Sequence, residues 1–351
     1  MELLNDIFKN ISLYILGFVS IIICAIFSLS IGRYELSFSD VIAALLGYGD
    51  EVETNIIFSF RLPRILLAIV VGAGLSVAGA VFQSLFRNPL ATPDILAVTS
   101  GASFGAVLGL LLGLSVSYIG IVGFIFGIVS LALVVLIGYN RDIPYETTTM
   151  ILSGVIITAF FQSLIGIVKY IADPQDTLPS ITYWLLGSLD VNLLPHTILS
   201  ILGITLGVLI LFILRWKCNL LMLPDDEIKS LGANLATLRI VVILISTMII
   251  TCAVSICGVI GWVGLLVPHI ARLLIGNDNA RLIPLSIIIG ALFYSSSIHS
   301  HAHSQVSKYL FQSSLHLLVH HFLFISCVKA RGVKRCLHYI MRVLLEKIKR
   351  F

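Results

Sequence analysis

The chain has 351 residues, of which 58% are hydrophobic and 11% are charged, whereas soluble domains have about 45–50% and about 25%. This composition excludes an ordinary soluble protein and indicates an all-α polytopic membrane protein. The net charge of +4 comes from basic residues in loops and requires no nucleic-acid partner. The six cysteines form no CxxC pair, so the sequence indicates neither a zinc site nor a disulfide framework.

Apolar runs separated by polar breaks predict the membrane spans. The first run is long enough to cross a bilayer, which takes about 20 residues, and exceeds the apolar region of a signal peptide, so we expect a retained first helix. Residues 171–195 are too interrupted to span and predict a short surface helix around Ile181–Leu189. The predicted spans are 11–32, 62–86, 94–113, 118–139, 148–171, 195–214, 236–257, 258–275 and 281–293.

The basic residues predict the orientation, because cytoplasmic loops of membrane proteins are enriched in Lys and Arg. With the N-terminus inside, the outer loops up to residue 293 carry only Arg33, Arg61, Arg64 and Lys169. The inner loops carry Lys9, Arg87, Arg141, Arg215, Lys217, Lys229, Arg239, Arg272 and Arg281. We therefore predict that the N-terminus lies inside.

Arg61 and Arg64 stand three residues apart at the predicted outer start of the second span, where Pro63 suits a first helical turn. Two interpretations stay open from the residues alone. The arginines anchor the helix at the membrane interface, or they contact acidic groups on an extracytoplasmic partner.

The second and third spans are joined by a turn that contains Asn88-Pro89 and Thr92-Pro93. A proline disfavours the helical conformation in the residue before it, so this pattern predicts a structured inner turn. A plain helix-breaking loop accounts for most of the pattern.

The longest inner loop contains a predicted short helix within residues 223–234. Acidic residues at its start complement the helix dipole, Gly232 suits its C-terminal cap, and Ile228 and Leu231 form a small apolar face. A helix this short is marginal in water by itself, so we expect a cytosolic partner to pack on it. Its candidate contact residues are Pro224, Asp225, Asp226, Glu227, Ile228, Leu231 and Gly232.

Residues 258–276 place Pro268, His269 and Arg272 inside an otherwise lipid-compatible run. Each of these residues costs free energy in hydrocarbon unless another group satisfies it. The segment is therefore expected to do more than span the membrane.

Two classes of transporter lack their usual signatures here. No GxxxxGK[ST] motif occurs, so any ATPase is a separate chain and the protein itself is not an enzyme. The predicted spans up to residue 293 are almost free of Asp and Glu, which argues against a proton-coupled carrier.

Four segments together resemble the permease subunits of iron–siderophore and vitamin B12 ABC importers, over about residues 11–293. They are RLPR at 61–64, GAGLSVAGAVFQSLFRNPLATPDILAVTSGASFG at 72–105, LPDDEIKSLGAN at 223–234 and GVIGWVGLLVPHIARLLIGNDNARLIPLSIIIGALF at 258–293.

The resemblance implies a bundle of ten transmembrane helices in the cytoplasmic membrane of a bacterium or archaeon. It also implies a second permease subunit, two ATPase subunits and an extracytoplasmic substrate-binding protein, with no cofactor. In such permeases the RLPR arginines meet the binding protein, so Arg61 and Arg64 take that role here.

By the same resemblance, residues 223–234 dock on the ATPase, Thr147 and Thr148 belong to the inner gate, and Asn88 and Pro89 belong to the family's inner turn. The eighth family helix then carries Pro268, His269 and Arg272 near its inner end. The implied substrate is an iron(III)–siderophore complex, with cobalamin, haem and molybdate as alternatives.

The family pattern stops after Phe293. Residues 294–351 hold seven of the nine histidines and no proline, and the motifs expected there, of the Asp-Thr-Leu-Ala-Arg, Glu-Ile-Pro-Val and Gly-Ala-Pro-Phe-Phe types, are missing. If the reading frame is shifted by one base, codons compatible with three stretches of this segment can encode all three motifs, in order. The stretches are residues 297–304, 307–315 and 318–325. We therefore predict a permease domain at 1–293 and an out-of-frame segment at 294–351.

The frameshift gives an alternative to the importer function, namely that this chain is a non-functional permease product. It also argues against a metal site in the histidine-rich tract, which otherwise has a composition typical of metal binding. That tract includes His299, His301, His303, His320 and His321. We expect about nine helices of the family type.

Overall fold

The computed structural model describes residues 2–32, 34, 36–138, 147–189, 195–224, 227 and 235–302. Within these ranges the chain is a bundle of helices without strands. The α-helices are α1 (Glu2–Ser30), α2 (Phe38–Leu45), α3 (Glu51–Asn55), α4 (Leu62–Leu85), α5 (Val98–Leu111), α6 (Val116–Gly138), α7 (Thr147–Ile171), α8 (Thr177–Leu186), α9 (Pro195–Ile213), α10 (Leu235–Cys257), α11 (Val263–Ile275) and α12 (Asn279–Ala302).

Seven helical segments of the described chain are long and apolar enough to cross a membrane. Helices α5 and α11 are also apolar but shorter, with 14 and 13 residues. The segments that can span are Ile11–Ser30, Glu51–Leu85, Val116–Gly138, Thr148–Ile171, His196–Met222, Leu235–Cys257 and Asn279–Ser296. The predicted all-α membrane fold is thereby confirmed.

Helix α4 lies at the centre of the bundle and is buried along most of its length. It packs against α9, α10, α11 and α12. Small residues allow this closeness: a Cβ atom at Gly79 would lie 1.8 Å from the carbonyl oxygen of Gly264, and one at Gly72 would lie 2.3 Å from that of Gly290. Any larger residue at these positions would push the helices apart.

The helical run that contains α4 begins earlier than the sequence predicts. Helix α3 continues through a π-helical segment, Ile56–Arg61, directly into α4. The RLPR arginines therefore lie within a continuous helical run rather than at its start. Pro63 is the second residue of α4 and has no N–H to donate to the helical turn before it; that turn is the π-helical segment.

A capping box starts the short helix α2. The Ser37 side chain accepts a hydrogen bond from the Asp40 backbone, and the Asp40 carboxylate accepts one from the Ser37 backbone. The hydrogen bonds from the Ser37 side chain and backbone hold the pKa of the Asp40 carboxyl below its ordinary value.

The span predicted at 258–275 is wrong at its start, because its helix begins only at Val263. Gly258 and Trp262 both have φ of +71°, in the left-handed region, so the chain leaves the helix between them. Continuous hydropathy concealed this break. The resulting helix α11 has a length of about 20 Å and does not span alone.

Other boundaries also shift. The segment predicted as 94–113 is split into a 3₁₀ turn, Pro93–Leu96, and α5, because Ala97 adopts a left-handed conformation with φ of +59°. The surface helix expected at 181–189 runs from Thr177 to Leu186 and ends at Gly187. The last described helix, predicted to end at residue 293, extends to Ala302.

Candidate functional site

Pro268 lies inside α11 and removes one backbone donor. A proline cannot bond the carbonyl four residues earlier, which here belongs to Gly264. The side chain of Gln83, on α4, supplies the replacement: its Nε2 lies 3.5 Å from the Gly264 oxygen and 3.3 Å from the Leu265 oxygen. A neighbouring helix thus bonds the carbonyl that the proline leaves without a donor, and an unpaired carbonyl would be costly in a membrane.

Arg272 completes this contact one turn further along α11. Its Nη1 donates to Oε1 of Gln83 at 2.6 Å. The amide of Gln83 is buried and connects the guanidinium with the carbonyls of Gly264, which Pro268 frees, and of Leu265. One side chain therefore bonds both the carbonyl freed by Pro268 and Nη1 of Arg272, whereas the buried Nε of Arg272 has no hydrogen-bond partner among the described residues. His269 is half-buried and has other interactions.

The turn after α4 is a defined C-terminal cap. The Asn88 N–H donates to the backbone oxygen of Gln83 at 3.1 Å, and the Arg87 N–H donates to the backbone oxygen of Ser84 at 3.3 Å. These two bonds form the Schellman pattern. Arg87 adopts the left-handed conformation, with φ of 49°. The Asn88 side chain then accepts from Leu90 N–H at 2.9 Å, so this turn is more than a plain loop.

A second polar cluster, which we call the corner junction, joins the 3₁₀ helix Leu214–Met222 to the turn between α11 and α12. Asn219 donates through Nδ2 to Oδ1 of Asp278 at 2.7 Å and accepts from the Asn279 N–H at 2.8 Å. Asn279, fully buried, accepts from Ser84 of α4 at 2.9 Å. The corner junction consists of Ser84, Asn219, Asp278 and Asn279.

The sequence did not reveal the corner junction or the role of Gln83. The carboxylate of Asp94 was also missed; it accepts a hydrogen bond from the hydroxyl of Thr99. Asp94 and Thr99 line a small cavity next to Trp262 and Gly264, and the cavity has room for about one water molecule. The partners of Gln83 and those within the corner junction are far apart in sequence, and only the three-dimensional structure brings them together.

Arg61 lies at the opposite end of α4 from the corner junction. Its guanidinium is half-buried and donates to the backbone oxygens of Leu29 and Tyr34, so it ties the end of α1 to α4. Gly32 allows this approach, since a Cβ atom there would lie 2.5 Å from Nη2 of Arg61. Arg64 is half-buried and has an interaction partner.

The remaining candidate residues lie near the corner-junction end or outside the described residues. Pro224 and Glu227 are exposed, and α7 begins at Thr147 with Thr148 exposed. Asp225, Asp226, Ile228, Leu231 and Gly232 lie outside the described residues, as do His303, His320 and His321. Among the described residues no group of three or more metal-ligating side chains is present.

The model of the FecCD transport family matches residues 20–301. This chain belongs to the FecCD transport family. Members of the family include permeases of ABC importers, and the chain is therefore a multi-pass membrane permease of such an importer. The match spans α4, the Gln83–Arg272 contact and the corner junction.

Relatives within the family transport different substrates. The chain is 39% identical over 278 residues to a molybdate import system permease protein of Haemophilus influenzae, which covers 78% of this chain and 82% of the relative. It is 40% identical over 238 residues to a Helicobacter pylori permease protein named for iron chelatin transport, covering 68% and 72%.

A solved structure is also similar to this chain. It shows an inward-facing conformation of a transporter assigned to the metal-chelate type of ABC transporters. The TM-score is 0.79 and the identity 34%, over 90% of this chain and 99% of the other. The family assignment and the overall fold agree.

Proposed function

We propose that this chain, paired with a second permease subunit, forms the translocation pore of a binding-protein-dependent importer for iron(III)–siderophore complexes. It lies in the cytoplasmic membrane of a bacterium or archaeon with its N-terminus inside. ATP is hydrolysed by separate ATPase subunits, and this chain performs no covalent chemistry.

The observation that carries the proposal is the separation of the two candidate contact regions along α4. Arg61 and Ser84 are 23 positions apart in a helical run, which corresponds to about 35 Å. That distance exceeds the roughly 30 Å hydrocarbon core of a bilayer. A permease driven from one side and loaded from the other requires such an arrangement.

We assign each end a partner. Arg61 and Arg64 contact acidic groups of the substrate-binding protein, and Arg61 in addition fixes the end of α1. Segment 223–234, which follows the 3₁₀ helix Leu214–Met222, docks on the ATPase. Thr147 and Thr148 contribute to the inner gate at the start of α7.

The substrate proposal draws on the relatives. A relative named for iron chelatin transport and another named for Fe(3+) dicitrate transport support an iron(III) chelate. Molybdate is the second candidate, since the molybdate permease aligns over a longer part of this chain. A hemin transport relative keeps haem among the alternatives, with cobalamin.

We further propose that residues 294–351 are read out of frame, because codons compatible with these residues permit the three missing motifs in a frame shifted by one base. A chain that lacks the family's tenth helix and the arginine of the expected Asp-Thr-Leu-Ala-Arg motif would fail in transport. Restoring the frame near residues 293–297 then restores the missing motifs, and the nucleotide sequence must permit this reading.

Uptake into proteoliposomes tests these proposals together. The chain as given and a frame-restored chain are each reconstituted with their ATPase and binding protein, and uptake of ⁵⁵Fe(III)–siderophore and of ⁹⁹Mo-molybdate is followed with and without ATP. We expect ATP-dependent, binding-protein-dependent iron uptake by the frame-restored chain, with none by the chain as given.

Each other outcome has a definite meaning. Molybdate uptake in place of iron uptake overturns the substrate proposal but leaves the permease function. Equal uptake by both chains overturns the frameshift proposal. Uptake that needs no ATP identifies an ion-coupled carrier and overturns the importer mechanism.

A further inference from the structure

The corner junction connects three elements that are distant in sequence. It joins the 3₁₀ helix through Asn219, the start of α12 through Asp278 and Asn279, and the end of α4 through Ser84. The bonds between side chains measure 2.7 and 2.9 Å, within the normal range for strong hydrogen bonds.

Further hydrogen bonds fasten the 3₁₀ helix on both sides of Asn219. Asn279 donates through Nδ2 to the Cys218 oxygen at 3.2 Å, and Arg87, beyond the end of α4, donates through Nε to the Leu221 oxygen at 3.1 Å. Cys218 and Leu221 are themselves buried. A 3₁₀ helix of nine residues is unusually long, and these tertiary contacts hold it in place.

The carboxylate of Asp278 serves two elements at once. Its Oδ1 accepts from the Ala280 N–H at 3.0 Å, which caps the first turn of α12, and also from Asn219. Oδ2 lies 3.6 Å from Nε of Arg281. A displacement of Asn219 is therefore applied directly to the N-terminus of α12.

The 3₁₀ helix ends at Met222, immediately before segment 223–234. Any movement of that segment acts on the 3₁₀ helix through the chain itself. Apolar contacts allow neighbouring elements to slide, but directional hydrogen bonds break or move together. The corner junction therefore connects segment 223–234 to α4, which packs against α9, α10, α11 and α12.

We propose that Asn219, Asp278 and Asn279 are positioning residues that transmit the movement of segment 223–234 to α4 and α12, and so couple ATP hydrolysis to transport. The inference rests on the proposed function, because it requires an ATPase to act on that segment. Movement imposed there reaches the centre of the bundle through the corner junction.

The test measures ATP hydrolysis and uptake in the same proteoliposomes, with whichever chain transports. Asn219→Asp keeps the acceptor for Asn279 but removes the donor and places a second carboxylate beside Asp278. The double substitution Asn219→Asp with Asp278→Asn restores a donor and an acceptor between the two positions. Asn277→Asp is the matched control, since Asn277 lies exposed in the same turn and has no side-chain hydrogen bond to the described residues.

We expect Asn219→Asp to lower the amount transported per ATP hydrolysed by roughly 3- to 20-fold, while the ATPase remains bound to the permease. The double substitution should recover most of this ratio, and Asn277→Asp should leave it unchanged. The ratio separates coupling from folding, because loss of folded permease lowers both rates together.

An unchanged ratio in Asn219→Asp overturns the inference, whether or not both rates fall. Failure of the double substitution to recover the ratio, while it assembles normally, also overturns it. If neither the chain as given nor the frame-restored chain shows ATP-dependent uptake, the proposed function itself fails and the inference fails with it.

Discussion

At the scale of single residues, one amide side chain bonds groups that a proline and an arginine leave without partners in an apolar helix. Gln83 donates to the Gly264 carbonyl freed by Pro268 and to the neighbouring Leu265 carbonyl, and it accepts from Nη1 of Arg272. A residue with only donors or only acceptors could not serve both, since the carbonyls require a donor and the guanidinium requires an acceptor. Glutamine provides both on one side chain.

Replacement of Gln83 by leucine should therefore be strongly destabilising. Gln83→Leu leaves a partly buried charge and the proline-freed carbonyl without their partner, at a cost of about 2–4 kcal/mol. Thermal unfolding of the purified permease in detergent should show a lower midpoint temperature.

Gln162→Leu is the matched control for this variant. Gln162 is exposed on α7, and the side-chain hydrogen bond that it makes to the described residues is a long one, 3.5 Å to Ser100. Its replacement should change the midpoint little. Equal midpoints for the two leucine variants would show that the Gln83 contact contributes no stability.

The sequence predicted part of this arrangement. Pro268 and Arg272 are recognisable as costly residues in an apolar run, so the need for a partner follows from the sequence. The partner does not, because Gln83 is 189 positions from Arg272 and resembles any polar residue near a helix end. The corner junction was missed for the same reason: Asn219 and Asp278 lie in stretches that read as simple polar breaks.

At the scale of elements, the break between α10 and α11 was hidden by continuous hydropathy. Gly258 marks the break with φ of +71°, and a Cβ atom there would lie 2.2 Å from the Trp184 oxygen at the end of α8. The Ser188 N–H donates to the Cys257 oxygen at 2.7 Å, so α8 is docked on this break. The spans themselves were predictable, because burial and length depend on hydropathy, whereas left-handed residues such as Trp262 carry no sequence signal.

Gly258→Ala should destabilise the permease by about 1–3 kcal/mol, because it adds backbone strain and a clash with the end of α8. Gly261→Ala, in the same break, should be nearly neutral, since a Cβ atom there meets nothing within 4 Å. Thermal unfolding midpoints of the two variants measure the difference. If Gly261→Ala proved as destabilising as Gly258→Ala, the backbone conformation described here for the break between α10 and α11 would be wrong.

At the scale of the whole molecule, α4 connects two ends with different chemistry. One end carries Arg61 and Arg64, and the other carries the corner junction and leads to segment 223–234. The family assignment identifies the chain as an ABC importer permease. We propose that the binding protein meets the arginine end and that the ATPase meets the other end.

Site-specific cross-linking in the assembled transporter tests this claim most directly. Single cysteines are introduced as Arg64→Cys and Glu227→Cys in a background in which the native cysteines are replaced, and a short bifunctional reagent is added. We predict that the first variant cross-links to the binding protein alone and the second to the ATPase alone. Cross-linking of both positions to the same partner, or of each to the opposite partner, would contradict the account.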